Sequence, residues 1–383
     1  MEKDEIPYWI TLAHISGWGV AKTNALVIKF FHEQKSSIQD FFHLEKAAWK
    51  EVYGLEDTDI AALEKARELV AGNAFFAETL LREGYEVIPL NSPDYSPILK
   101  SNLKASHSPV ILYIKGNKQL LQEDSVAIVG SREAAETSLR FTDNIARSAV
   151  KQGKVIVSGF AKGVDRQALN SAIEAHGQSI IVLPQGILTF SSGFKEYYKE
   201  IVNGRVLVVS TFSPRAPWKV ELAMARNPII YGLANEIYVA ESSEKGGTWA
   251  GVIDGLRKKR SIFVRQPDLY EQNANGLLIE KGAIAVDFEG RQIERITESL
   301  LVSEPENTYT PAGSLEEKIL SVFNGKPLTA EEILDRSGLD LTGQQLDDLL
   351  KGLSQVEIIK KTKPYKFRLK DKNDQAQQPS LFE

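Results

Sequence analysis

From about residue 84 onward, short runs of apolar and β-branched residues alternate with longer amphipathic stretches. The runs Glu86–Pro89, Val110–Ile114, Val126–Val129, Val155–Ser158, Ser179–Leu183, Val206–Ser210, Glu236–Ala240 and Ser261–Val264 predict strands. Helices are predicted near Ser138–Gln152, Asp165–His176, Trp218–Gly232 and Thr248–Lys258. Apolar strands alternating with helices imply an α/β fold, a parallel sheet covered on both faces. Ligands of such sheets bind beyond the carboxyl ends of the strands, which makes those ends the places to look for chemistry.

The flanks have a different texture. Residues 1–80 predict a helical domain, and 81–290 the α/β domain. Leu12 to Phe31 reads as a helix, a tight turn at Gly17 and Gly19, and a second helix from about Ala21. That pattern resembles a helix-hairpin-helix, whose glycine turn lets backbone N–H groups approach a phosphate. The alternative is a helical hairpin that merely packs, because only Lys22 and His14 add positive character. Residues 291–312 are polar with two prolines and read as a linker. Residues 313–370 predict three helices and a two-stranded ribbon, the order of a winged helix, with Gln344–Leu353 in the recognition position. The polar tail, 371–383, predicts a flexible end.

Composition narrows the chemistry. The 383 residues are 43% hydrophobic and 25% charged, with no apolar run long enough to span a bilayer and no basic, apolar leader at the N-terminus; a cytoplasmic protein without membrane association is expected. With no cysteine and five scattered histidines, disulfides, thiolate metal sites and cysteine nucleophiles are excluded, and neither a metal nor a cofactor is expected. A net charge of −5 means that any affinity for nucleic acid must come from local patches.

Such a patch recurs at the strand ends. The run Val126–Val129 is followed by Gly130-Ser131-Arg132, where a dinucleotide fold would carry G-x-G-x-x-G; one glycine is present, then a fixed positive charge. The next strand ends in Ser158-Gly159, with Lys162 in the following turn and Asp165 opening a helix as a cap. Arg226-Asn227 and Lys245, before the Gly246-Gly247-Thr248 turn, add to the same edge. A hydroxyl, free backbone N–H groups and a cation at each turn suit a polyanion better than a metal ion. A nucleic-acid strand presents separate phosphates that such cations can meet one by one. Phe160 and Trp249 lie beside this cradle, as platforms for bases or as core.

With these residues in hand, the chain resembles the DNA-processing protein A (DprA, also called Smf) family. The likeness runs from Pro89 to about Val286 and rests on "VAIVGSR", "SGFAKGVDRQAL", "RN" with "IIYGLA", and "NGLLIEKGAIAV". The resemblance implies an extended Rossmann-like domain that binds single-stranded DNA, forms a homodimer and loads a RecA-type recombinase during transformation or recombination. By position, Gly130, Ser131 and Arg132 match the family's phosphate-contacting G-S-R; Ser158, Gly159 and Lys162 match S-G-x-A-[RK]-G; Arg226 and Asn227 match the start of R-N-R. Leu169 stands where the family has histidine, and Pro228 replaces the second arginine of R-N-R.

Two other functions fit parts of the pattern. A DprA-like regulatory or antitoxin component of a phage-defence locus would suit the divergence at Leu169 and Pro228, with a basic wing over Ile358 to Lys372 reading duplex DNA; Asp347 and Asp348 on the recognition helix would oppose that. A phosphoribohydrolase-type Rossmann enzyme carries P-G-G-x-G-T-x-x-E, which "KGGTWAG" resembles, but Gly251 stands where the glutamate is needed, so no catalytic residue is assigned. The tail residues Gln378, Leu381 and Phe382 resemble a peptide that docks on the sliding clamp.

Overall fold

A computed structural model describes residues 3–268, 270–293, 319–323, 326–339, 341–353, 355–360 and 364–369. The expected linker from residue 294 onward, the tail with Gln378, Leu381 and Phe382, and residues 361–363 and 370–372 of the basic wing lie outside the described residues. Two compact units divide the chain, Met1–Ile296 and Thr297–Glu383.

In the first unit the strands are β1 (Glu86–Pro89), β2 (Ile111–Gly116), β3 (Ser125–Gly130), β4 (Val155–Ser158), β5 (Ser179–Val182), β6 (Val206–Ser210), β7 (Glu236–Glu241), β8 (Ile262–Arg265) and β9 (Ile284–Val286). They form one sheet in the order β1-β2-β6-β5-β4-β3-β7-β8-β9. From β6 across to β9 every neighbouring pair is parallel. The other edge departs from the all-parallel expectation, because β2 pairs antiparallel with both β6 and β1. An apolar run carries no information on strand polarity, and an antiparallel edge needs no crossover helix. β9 is an additional strand, three residues long and too short to stand out as a run.

Burial on both faces follows from the pleat, which sends successive side chains to opposite sides. Val126 and Ile128 of β3 pack with Phe141, Ile145 and Ala149 of helix Glu136–Lys151, and with Ala168 and Ala172 of helix Val164–Glu174. Ala127 and Val129 of the same strand face Ile229, Ile230 and Val252, from helices Val220–Gly232 and Gly247–Arg257. Phe141, Ile145 and Ala149 recur every fourth residue, the spacing of one helical stripe. The chain runs outward from β3 to β4, β5 and β6, then returns to place β7 on the other side of β3. The carboxyl ends of β3 and β7 therefore flank a topological switch point, where the flanking loops diverge and leave a crevice.

The N-terminal helices do not stand apart. Trp9, Leu12, Phe30, Phe41, Phe42 and Trp49 are fully buried in a cluster that continues into Val87, Tyr113 and Val208 of the sheet, so the boundary expected near residue 80 falls inside one compact unit. The turn with Gly17 joins helix Ile6–Ala13 to helix Val20–Val27. Its positive groups have partners inside the protein: Lys22 pairs with Asp59, and the imidazole Nε2 of His14 lies 2.8 Å from the Tyr113 hydroxyl. The buried Asn24 amide donates to the carbonyls of Ala105 at 2.6 Å and Ser108 at 2.7 Å, fastening the second helix to the rest of the unit.

In the second unit, helix Ala330–Ser337 begins with a capping box of Thr329 and Glu332, and helix Gly343–Gly352 with one of Thr342 and Gln345. An antiparallel ribbon of Val356–Lys360 and Lys366–Leu369 follows, and Ile333, Leu346, Leu350 and Phe367 form the core.

Asn24→Ala should cost about 1–3 kcal/mol, because the carbonyl of the buried Ser108 and that of Ala105 lose their donor. Urea unfolding of the full chain, followed by tryptophan fluorescence, measures it; an unchanged midpoint would show that the carbonyls find other partners.

Candidate nucleic-acid interface

A cleft of about 490 Å³ opens at the β3/β7 switch point. Its walls come from three places: the end of β3 and the turn beyond it, Val129 to Glu133; the loop after β7 with Ser242, Ser243 and Lys245 to Thr248; and one side of helix Val220–Gly232 from Val220 to Tyr231; Asp165 also lines it. Of the residues singled out in the sequence, Gly130, Ser131, Arg132, Arg226, Asn227 and Lys245 all line it. Ser158, Gly159, Phe160, Lys162 and Trp249 do not.

The two turns after β3 and β4 touch through their backbones. Val164 N–H donates to the Ser131 carbonyl at 3.2 Å. Gly163 has φ +81°, and a Cβ there would stand 2.4 Å from the Ser131 carbonyl oxygen and 2.7 Å from that of Arg132. At Gly130 a Cβ would meet Val164 at 2.6 Å. These glycines serve close contact between turns, rather than contact with a pyrophosphate. The result brings Arg132 and Lys162, both exposed, onto adjoining turns.

Arg226 is not a surface cation. The residue is 5% exposed, and one terminal nitrogen donates to the carbonyls of Gly159 and Val182, both at 2.8 Å. The other lies 3.9 Å from Asp165. The guanidinium thus gathers the ends of β4 and β5 and the first turn of helix Val164–Glu174. Gly159 is required by this packing, since a Cβ would fall 1.9 Å from the guanidinium. Burial lowers the Arg226 pKa and the nearby Asp165 raises it, with burial prevailing. Asp165, expected as a helix cap, is enclosed in that helix's first turn; burial raises its carboxyl above the ordinary range, against the pull of Arg226 and of the Ala161 and Gly159 N–H groups. Arg226 keeps its Nε–H without a partner.

The remaining assignments shift for similar reasons. Ser158 is buried, and its hydroxyl donates to the Ile128 carbonyl at 2.9 Å, which ties β4 to β3. Phe160 adopts φ +74° and is held by Phe190 and Tyr197 edge-on, with the Arg166 guanidinium 3.8 Å from its ring centre. Its ring is spoken for by the protein. Trp249 is half-buried against the apolar cluster beneath helix Gly247–Arg257. Leu169, where the family pattern has histidine, is a core residue at 2% exposure. Pro228 lies within helix Val220–Gly232 and withholds a backbone donor from the carbonyl of Met224.

One residue that shapes the site carried no clear sequence signal. Glu241, the last residue of β7, accepts from the Ala135 N–H at 2.9 Å and the Ser138 hydroxyl at 2.7 Å. Its carboxylate therefore occupies the N-terminus of helix Glu136–Lys151, the position a dinucleotide's pyrophosphate takes in a Rossmann turn. Behind it, buried Arg265 donates to Glu271, Ser138 and the Ala240 carbonyl. The glycine in place of a hydrolase glutamate also has a structural reason: a Cβ on Gly251 would lie 2.8 Å from the Tyr231 ring, so a carboxylate side chain has no room. Among the described residues no group of three or more His, Cys, Asp or Glu could hold a metal ion. No described helix is long and apolar enough to cross a membrane.

Comparison with known proteins agrees with this architecture. The family model described as DNA recombination-mediator protein A matches residues 86–300, more than half of the chain. A DNA processing protein DprA from Streptococcus pneumoniae is 30% identical over 179 residues, which cover 46% of this chain and 63% of that relative. Protein Smf from Synechocystis is 24% identical over 400 residues, covering 94% of this chain and 96% of the relative. The X-ray structure of DprA from Streptococcus pneumoniae shares the fold, with a TM-score of 0.58 at 23% identity over 75% of this chain and 95% of that one.

Two substitutions separate brace from free cation. Arg226→Ala should cost about 3–5 kcal/mol, because Asp165 is left enclosed without its partner, while exposed Arg132→Ala should stay within about 0.5 kcal/mol. Gly153 has φ +74° with open space around it, so Gly153→Ala should cost about 1–2 kcal/mol and Gly163→Ala clearly more. Thermal denaturation of the four variants measures both contrasts; equal losses within either pair would contradict the packing described.

Proposed function

Because this chain belongs to the DNA recombination-mediator protein A family, we propose that the cleft between β3 and β7 binds single-stranded DNA through its phosphates and performs no reaction on it. The observation that carries this reading is the charge arrangement of the cleft. Arg132 and Lys245 are exposed and both line the cleft. Of the nearby carboxylates, Asp165 is enclosed beside Arg226, and Glu241 is held by Ala135 and Ser138. Glu133, exposed on the rim, lacks a second group to form an acid/base pair across the cleft. The pyrophosphate position is filled by Glu241, which weighs against a dinucleotide, and the Tyr231 ring beside Gly251 weighs against a phosphoribohydrolase. A row of separate cations suits successive phosphates of a strand.

In this reading Arg132, Lys162 and Lys245 contact phosphates, Gly130, Ser131 and Asn227 shape the cleft, and Ser158, Gly159 and Arg226 hold its floor. Loading of a RecA-type recombinase and homodimer formation extend the same proposal. So do a winged-helix role for the second unit, where exposed Asp348 beside half-buried Asp347 disfavours docking of that helix face on DNA, and docking of Gln378, Leu381 and Phe382 on a sliding clamp.

The test is a salt-titrated binding assay with single-stranded and duplex oligonucleotides. Arg132→Ala and Lys245→Ala should each weaken single-strand binding for all sequences alike and lower the salt slope by about one. Release of free base from nucleoside monophosphates, or a preference for duplex, would overturn the proposal. For the tail, a peptide spanning Asp371–Glu383 should bind the sliding clamp in fluorescence polarisation; no binding removes that partner.

A further inference from the structure

The cleft is chemically lopsided. Along the same cleft as the cation-bearing turns, helix Val220–Gly232 begins with apolar side chains turned to solvent: Val220 is 60% exposed and Met224 42%, and both line the cleft. Trp218, two residues before Val220 and 49% exposed, precedes them across the extended Lys219, φ −144° and ψ 153°. In an extended segment, residues two apart project to the same side. A soluble protein gains nothing by leaving a tryptophan, a valine and a methionine together beside a charged cleft unless something covers them.

The two aromatic residues nearest in sequence to the cation motifs are unavailable for that task. Phe160 is packed between Phe190, Tyr197 and Arg166, and Trp249 rests on the apolar cluster. A single strand has two unlike faces, a line of phosphates and a line of unpaired bases, and the cleft is lined by two unlike sets of groups, the exposed Arg132 and Lys245 and the apolar start of helix Val220–Gly232. We infer that Trp218, Val220 and Met224 form the base-facing wall, so that a bound strand turns its phosphates to Arg132 and Lys245 and its bases to the start of this helix. Trp218 supplies a flat stacking surface, and the flexible, polarisable Met224 adapts to any base. The inference rests on the phosphate-binding reading above and adds a reason for choosing single strands: in a duplex the bases are stacked inward and cannot reach this wall.

The experiment compares an oligothymidylate with an abasic strand of the same length and charge, by fluorescence anisotropy on the full chain. The wild-type protein should bind the base-containing strand about tenfold more tightly, in line with stacking on one aromatic residue. Trp218→Ala should erase that difference while leaving the salt slope unchanged, and Trp218→Phe should restore most of it. Arg132→Ala should weaken both strands and lower the slope. If wild type binds both strands equally, or if Trp218→Ala weakens both equally, the base-facing wall is wrong while phosphate binding stands. If wild type binds neither strand, both readings fall. Thermal denaturation of Trp218→Ala, expected to match wild type because the residue is exposed, guards against loss of fold.

Discussion

A guanidinium enclosed under the edge of the sheet sets the terms for the whole site. Arg226 reaches from helix Val220–Gly232 to the carbonyls of Gly159 and Val182 and to the neighbourhood of Asp165. A buried cation is tolerated only where acceptors and a counter-charge replace water. That requirement explains three other residues: the glycine at 159, which makes room; the carboxylate at 165, which balances charge; and the extra carbonyl at the end of β5. With these groups committed to one another, the accessible positive charge of the cleft is left to the cations that remain in solvent.

The same logic operates on the other side of the switch point. Glu241 satisfies the N–H of Ala135, and Arg265 with Glu271 supports it from behind. The helix start that would attract a phosphate in a nucleotide-binding fold is thereby served by an internal carboxylate. What persists is a cleft with charged side chains on long stems at its rim. Such groups follow a flexible polyanion readily, whereas a rigid backbone cradle favours one small ligand. A chain of net charge −5 can in this way present a local cationic site without being basic overall.

Glycine marks several of these contacts, and its meaning differs from place to place. Gly163 and Gly130 let two turns lie backbone to backbone, Gly159 admits the guanidinium, and Gly251 admits the Tyr231 ring. None of the four is explained by ligand contact alone. A glycine-rich motif at strand ends therefore cannot be read as a phosphate loop until the neighbouring element is known.

Local pattern alone determined eight of the nine sheet strands, their alternation with helices, and the edge at which sheets of this kind bind ligands, because hydrophobic periodicity is a property of consecutive residues. It also brought Gly130, Ser131, Arg132 and Lys245 to one edge, since each ends or follows a strand whose position is set by that alternation, while Asn227 comes to that edge from within helix Val220–Gly232. Only the tertiary structure decided that Arg226 and Ser158 are internal, that Phe160 and Trp249 are packed, that Glu241 fills the helix start, and that β2 runs antiparallel. The physical reason is the same each time: whether a polar or aromatic side chain meets solvent or a partner depends on atoms from strands and helices far away in the chain, such as Val182 beneath Arg226 or Ala135 above Glu241, and no local spacing encodes them.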